Sequence, residues 1–126
     1  MSKQKTIAFD LDDVICYRSD QYENLGPTKY DFCKPNYDVI EIVNQLYDEG
    51  NFIVIYTARG MSQFKGNVPL IYSELYVKTM SQLNEWKVKY NQLIMGKIHY
   101  DVLIDDKALN SSDLTIQSIK TLCYLN

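Results

Sequence analysis

The sequence predicts an α/β fold: a single Rossmann-like, three-layer domain on a mainly parallel sheet. Three observations carry this. Apolar, strand-forming runs recur along the chain, stretches of helical periodicity separate them, and acidic or hydroxyl residues stand where the runs stop. Strands alternating with helices assemble as an open parallel sheet whose sites lie at the carboxyl ends of the strands. With 126 residues, 46% hydrophobic and 23% charged, the chain can bury one core but not two, so residues 1–126 are read as one domain.

Thr6 to Phe9 (TIAF) reads as a short buried strand, with the charged DLDD beginning where it ends. Cys16 to Asn36 is polar, contains Gly26, Pro27 and Pro35, and has no sustained period, which predicts a loop or flap. From Asp38 onward Val39, Ile40, Ile42, Val43, Leu46 and Tyr47 recur at helical spacing and stop at Gly50, a natural residue just past a helix end. Phe52 to Tyr56 (FIVIY) has the continuous apolar character of a central strand covered on both faces, and Thr57 closes it. ARGMSQFKGNVP reads as loop. Leu70 to Lys89 then carries an amphipathic helix with Leu75, Val77, Met80, Leu83 and Trp86 toward the core. A short strand is expected at Leu93 to Met95 and another at Val102 to Ile104, ending in Asp105 and Asp106; the tail from Ser111 adds a helix.

The net charge of −3 and a pI near 5.0 argue against a broad footprint for nucleic acid or anionic membrane. No apolar stretch approaches bilayer-spanning length, and Met1 to Lys5 leads into an acidic segment instead of a signal-peptide core. A soluble, cytoplasmic protein is expected. Cys16, Cys33 and Cys123 are odd in number and widely spaced, which predicts free thiols and neither a disulfide framework nor a zinc site. His99 and Trp86 read as structural.

Two acidic clusters at one sheet edge would crowd several carboxylates together. Repulsion between two such charges at about 4 Å is on the order of a few kcal/mol at a protein surface. A hard cation relieves it, and Mg2+, which takes one or two carboxylates together with substrate phosphate, also suggests the substrate class. Asp10 can act as nucleophile and Asp12 as general acid and base. Thr57 and Lys97 can hold a phosphoryl group, with Lys107 a second candidate for the lysine. Arg59 reads either as a substrate contact beyond the phosphate or as a surface ion pair, and Asp106 either as a metal ligand or as a cap.

The ordered set DLDDV, FIVIYT, the lysine of GK, and VLIDD resembles the haloacid dehalogenase superfamily of aspartate-nucleophile phosphotransferases, over essentially the whole chain. TARGM, FKGN and GK are similar to short capless members found among bacterial surface-polysaccharide and sugar-phosphate genes. The resemblance implies Asp10 as nucleophile and metal ligand, and Asp12 as acid/base with its backbone carbonyl on the metal. It implies Asp105 completing the Mg2+ site, Asp106 assisting through water, and Thr57 and Lys97 on the phosphoryl group. Asp13 stands where such relatives often have glycine, and only seven residues separate Lys97 from Asp105, where many have a longer excursion. A receiver domain of signalling systems uses similar residues but in another order. An inactive scaffold would have little reason to keep both Asp10 and Asp12. Without a cap, specificity falls to the flap, to the loop at Arg59 or to a neighbouring subunit. The expected partner is a small phosphorylated, sugar-like metabolite or glycan precursor, in a possible homo-oligomer.

Overall fold

The computed structural model describes residues 4–125, so the reading of Met1 to Lys5 falls largely outside the described residues. Three parallel strands form the sheet in the order β1 (Thr6–Asp10), β4 (Phe52–Thr57), β5 (Gln92–Met95). Between them run α1 (Tyr37–Asp48) and α2 (Val68–Glu85), which pack on β4 and β5. Both crossovers step in one direction across the sheet, and right-handed connections place both helices on the same face. The parallel register puts Ile7, Phe9, Ile53, Ile55, Thr57, Leu93 and Met95 on that face, and all but half-exposed Ile7 are buried there. They meet Ile40, Val43 and Leu46 of α1 and Ile71, Leu75 and Leu83 of α2 in one core.

The opposite face is only partly covered. Val54 is buried, but Thr6, Ala8, Tyr56 and Gln92 are exposed. This corrects the three-layer expectation and the expectation that FIVIY is sealed on both sides: one layer of helices packs on the sheet, and the second face stays partly open.

The expected flap has more order than its composition suggests. The two-residue strands β2 (Cys16–Tyr17) and β3 (Lys34–Pro35) pair antiparallel, and 3-10 turns fill Asp20–Phe32, broken at Gly26 where φ is 62°. Tyr22 stacks on Phe32 at 4.1 Å, and Tyr30 is buried. α1 stops where Gly50 takes a φ of 97°, as its position predicts. α2 starts two residues earlier than the pattern predicts, because Asn67 caps the amide of Leu70 (3.2 Å) and proline is tolerated in a first turn. It ends four residues early, at Glu85, just before Lys87 turns left-handed at φ 60°. Its buried stripe is Ile71, Leu75, Thr79 and Leu83, whereas Val77, expected in the core, is 66% exposed.

The expected strand at Val102–Ile104 is absent. These residues are coil, Ile104 being 93% exposed, and β1 has no neighbour on its outer edge among the described residues. The tail forms a turn at Ser111–Asp113 and the short α3 (Ile116–Leu122), which a Thr115–Ser118 capping box starts. Among the described residues, no helix is long and apolar enough to cross a membrane.

Gly60 sits at φ 81°, and a Cβ there would stand 2.8 Å from Leu75 Cδ1 and 3.2 Å from both Ile71 Cγ1 and Phe64 Cδ2. Gly60→Ala is expected to destabilise the fold by about 1–3 kcal/mol, from backbone strain and overpacking together. A urea melt checks this, and an unchanged midpoint would show that α2 yields freely.

Candidate active site at the carboxyl edge of the sheet

Asp10 is the last residue of β1, and its Oδ1 accepts from the amide of Leu11 at 2.8 Å. The chain then folds back tightly, because the Leu11 carbonyl accepts from the amides of Val14, Ile15 and Cys16. The turn requires a positive φ at residue 13. Asp13 supplies it at φ 67°, held by Arg18 through contacts of 2.6 and 3.0 Å. Aspartate is among the few non-glycine residues that tolerate this region, so the sequence's departure from glycine is accommodated.

Lys97 arrives from the other side of the sheet. Gly96 lies at φ 90° where a Cβ would press on both methyls of Val68, at 3.1 and 3.2 Å, so glycine is required just before the lysine. The Lys97 amide donates to the Thr57 carbonyl (3.1 Å), continuing the pairing of β4 with β5. Its ammonium passes the rings of Tyr56 and Tyr100 and ends 3.5 Å from Asp10 Oδ2. Burial pushes the Asp10 carboxyl above the usual carboxylate range; Lys97 and the Leu11 amide pull against it, while Asp12 adds to the rise.

Asp12 faces a different set of partners. Arg59 grips it with Nε at 3.0 and 3.2 Å and Nη2 at 3.0 Å, and the thiols of Cys16 and Cys33 approach its Oδ1 at 3.4 and 3.6 Å. The guanidinium is 3% exposed and lies over Tyr30 at 4.8 Å; Nη1 donates to Gln82 (2.8 Å) and Thr79 (3.4 Å), and Nη2 also reaches the Cys16 sulfur. Burial opposes its charge, but Asp12 more than offsets that and keeps it protonated. The neighbouring Cys33 thiol, with burial, pushes Cys16 up, and Cys16 in turn pulls Cys33 down.

The structure therefore brings Lys97 to Asp10 with Asp12 close by, places Thr57, expected on the phosphoryl group, on the helix-packed face instead, and gives Arg59 a different role from a substrate contact. All of its N–H groups point at protein acceptors, so it positions Asp12. Thr57 is fully buried, and its Oγ1 accepts from the Arg59 amide at 3.1 Å. Asp105 and Asp106, expected as metal ligands, are not brought in. Both are exposed, and Asp105 Oδ1 accepts from the Lys107 amide at 3.0 Å, which holds that carboxyl below its ordinary range. The strand that should have delivered them has not formed. Lys107 is exposed, which leaves Lys97 as the lysine at Asp10. His99 pairs with Ser62 at 3.0 Å.

The expected Mg2+ set does not fit one chain. Arg59 neutralises the Asp12 carboxylate and leaves only its backbone carbonyl to a metal, Asp105 and Asp106 are exposed on coil, and Asp10 stands paired with Lys97. Among the described residues, the group that does converge is Asp12, Cys16 and Cys33, with ligand atoms within 4.8 Å, but the guanidinium already satisfies its charge.

Sequence reasoning missed Tyr30, whose hydroxyl accepts from the Gly60 amide (3.0 Å), and Cys16, Cys33, Thr79 and Gln82. One signal was available: Thr79 and Gln82, three apart, interrupt the apolar stripe of α2, as polar residues do when they serve a buried charge.

No family model matches the chain, and no curated protein matches it. Among solved structures it is similar to the crystal structure of a structural-genomics target from Vibrio cholerae, at 29% identity and a TM-score of 0.77, over 96% of this chain and 98% of that one. The chain is thus a small α/β protein with a three-stranded parallel sheet, an architecture shared along nearly its whole length with that Vibrio cholerae protein.

Because the folded state raises the Asp10 pKa, folding favours the neutral carboxyl. Its contribution is fully present below the ordinary carboxylate range and is lost as pH rises through the raised value. Asp10→Asn, neutral throughout, is expected to have a higher Tm than the metal-free wild type at neutral pH, with the gap closing below pH ~3.5. Thermal melts across pH test this, and a gap that widens on acidification would reverse the sign.

Proposed function

We propose that the chain is a phosphotransferase of the haloacid dehalogenase type, a cytoplasmic Mg2+-dependent phosphomonoesterase working through an aspartyl-phosphate on Asp10. The supporting observation is the Lys97 ammonium 3.5 Å from a carboxylate at a parallel strand's carboxyl end. A phosphate monoester entering there meets a positive charge beside an oxygen nucleophile, as in-line displacement needs. The Asp10 oxygen bonds to phosphorus as the ester P–O bond breaks, and the departing alkoxide takes a proton from Asp12. Water then attacks the acyl phosphate, giving up a proton to Asp12 and releasing inorganic phosphate and the free Asp10 carboxylate. Asp12 must loosen from Arg59 to carry that proton. The Mg2+ of this reading lacks a complete donor set within one chain.

The flap, with Tyr30 buried beside Arg59, leaves no room in the sequence for a cap, which favours a small phosphorylated sugar or polyol, or the exposed phosphate of a glycan precursor. Asp10→Asn is expected to abolish release of phosphate, and Asp12→Asn to lower it by about a hundredfold to ten-thousandfold. A full rate in the first variant would sink the mechanism. A screen of sugar phosphates, nucleotides, phosphoamino acids and phosphopeptides with Mg2+ reads the substrate class, and preference for nucleotides or phosphoproteins would overturn the sugar assignment.

Lys97→Ala is expected to lose far more turnover than Lys107→Ala under the same assay; the opposite ranking would move the phosphate contact to Lys107.

One observation favours a second reading. With Asp12 held by Arg59, Asp10 and Lys97 resemble a phosphoacceptor pair that keeps its phosphoryl group. A stable aspartyl-phosphate formed from acetyl phosphate, without turnover, would select that switch-like role.

A further inference from the structure

The chain holds two unmatched halves of one sheet. Val102, Leu103 and Ile104 are strand-forming residues that stand 74%, 52% and 93% exposed, with no strand partner. β1, which carries Asp10, pairs only with β4 among the described residues, and Thr6 and Ala8 beside its free edge are exposed. Such an edge offers unpaired N–H and C=O groups to an incoming strand.

The chain's own segment cannot fill this edge with its acids at the site. Bringing Asp105 level with Asp10 on a parallel strand puts Val102 level with Ile7, hence with Ile53. The Lys97 amide is bonded to Thr57 at the opposite end of β4, on the β5 side. That span is about four residue rises down and three strand spacings across, roughly 19 Å even through the body of the sheet. Five residues from Lys97 to Val102 reach at most about 17 Å, and must go around the sheet. A second copy has no such limit.

We propose that two copies exchange this segment, so that the free edge of each β1 receives the partner subunit's Val102–Ile104 as a parallel fourth strand. The side-chain alternation agrees with this register. The partner's Val102 and Ile104 fall opposite Ile7 and Phe9 on the packed face, and the partner's Leu103 falls opposite Ala8. The partner's Asp105 and Asp106 then arrive at Asp10, supplying the carboxylates that one chain lacks. Exchange of an identical segment is reciprocal and closes as a two-fold dimer with two complete sites. The metal-binding consequence rests on the phosphotransfer reading; the strand exchange does not.

Two measurements test the exchange without reference to activity. In a Cys123→Ser background, Ala8→Cys with Leu103→Cys should form a disulfide-linked dimer on a non-reducing gel. Sedimentation should give twice the 14.7 kDa chain mass, falling to one chain mass in Val102→Asp with Ile104→Asp at unchanged circular dichroism. A disulfide within one chain, or a wild type that sediments as a monomer at micromolar concentration, overturns the proposal. A third measurement tests the shared site. Asp10→Asn and Asp105→Asn, each inactive alone, should on co-refolding recover roughly a quarter of wild-type turnover, since half the dimers are mixed and each mixed dimer rebuilds one of two sites. An exchanged dimer that recovers no turnover while the wild type is active overturns the shared site. A wild type inactive on every phosphomonoester refutes the phosphatase reading, and with it the metal-site consequence, while the gel and sedimentation still decide the exchange.

Discussion

The buried pair of Arg59 and Asp12 is the contact on which the arrangement turns. A guanidinium 3% exposed is costly to desolvate, and it is stable here because every N–H finds an acceptor. Its partners come from four places: Asp12 from the turn after β1, Thr57 through the Arg59 amide, Thr79 and Gln82 from α2, and Tyr30 from the flap. Gln82 also donates to the Tyr30 carbonyl at 2.9 Å, tying flap to helix. Removing either charge from such a pair typically costs about 3–5 kcal/mol, because the other is left buried and uncompensated. The flap therefore owes its order to a charge it does not carry.

That contact also divides the motif DLDD by function. Asp10 faces the partly open side of the sheet with Lys97, and its raised pKa comes from burial. Asp12 is drawn toward α2. The separation gives one motif a carboxylate available to a ligand and another engaged by the protein, a difference set entirely by neighbours.

What could be read from the sequence follows the range of the forces involved. The three sheet strands and α1 were legible because burial periodicity and Gly50 are local signals. The end of α2 was not, since Lys87 rather than glycine takes the left-handed turn. Asp10 and Lys97 could be placed because strand ends gather at one edge of a parallel sheet. The role of Arg59 could not, because it depends on Gln82 and Tyr30, distant in sequence and unremarkable alone. The strand at Val102–Ile104 was predicted from composition, which reports the wish to be covered and not what covers it.

The turn after β1 is fastened by two ion pairs of unlike character. Asp13 and Arg18 are both about half exposed, with side-chain exposures of 53% and 42%, whereas Asp12 and Arg59 stand at 14% and 2%. Mobile ions screen the first pair within a Debye length of about 8 Å at physiological ionic strength and scarcely touch the second. Salt therefore acts on one of two adjacent aspartates and not on the other: as ionic strength rises, the left-handed bend at Asp13 slackens while Asp12 stays fixed.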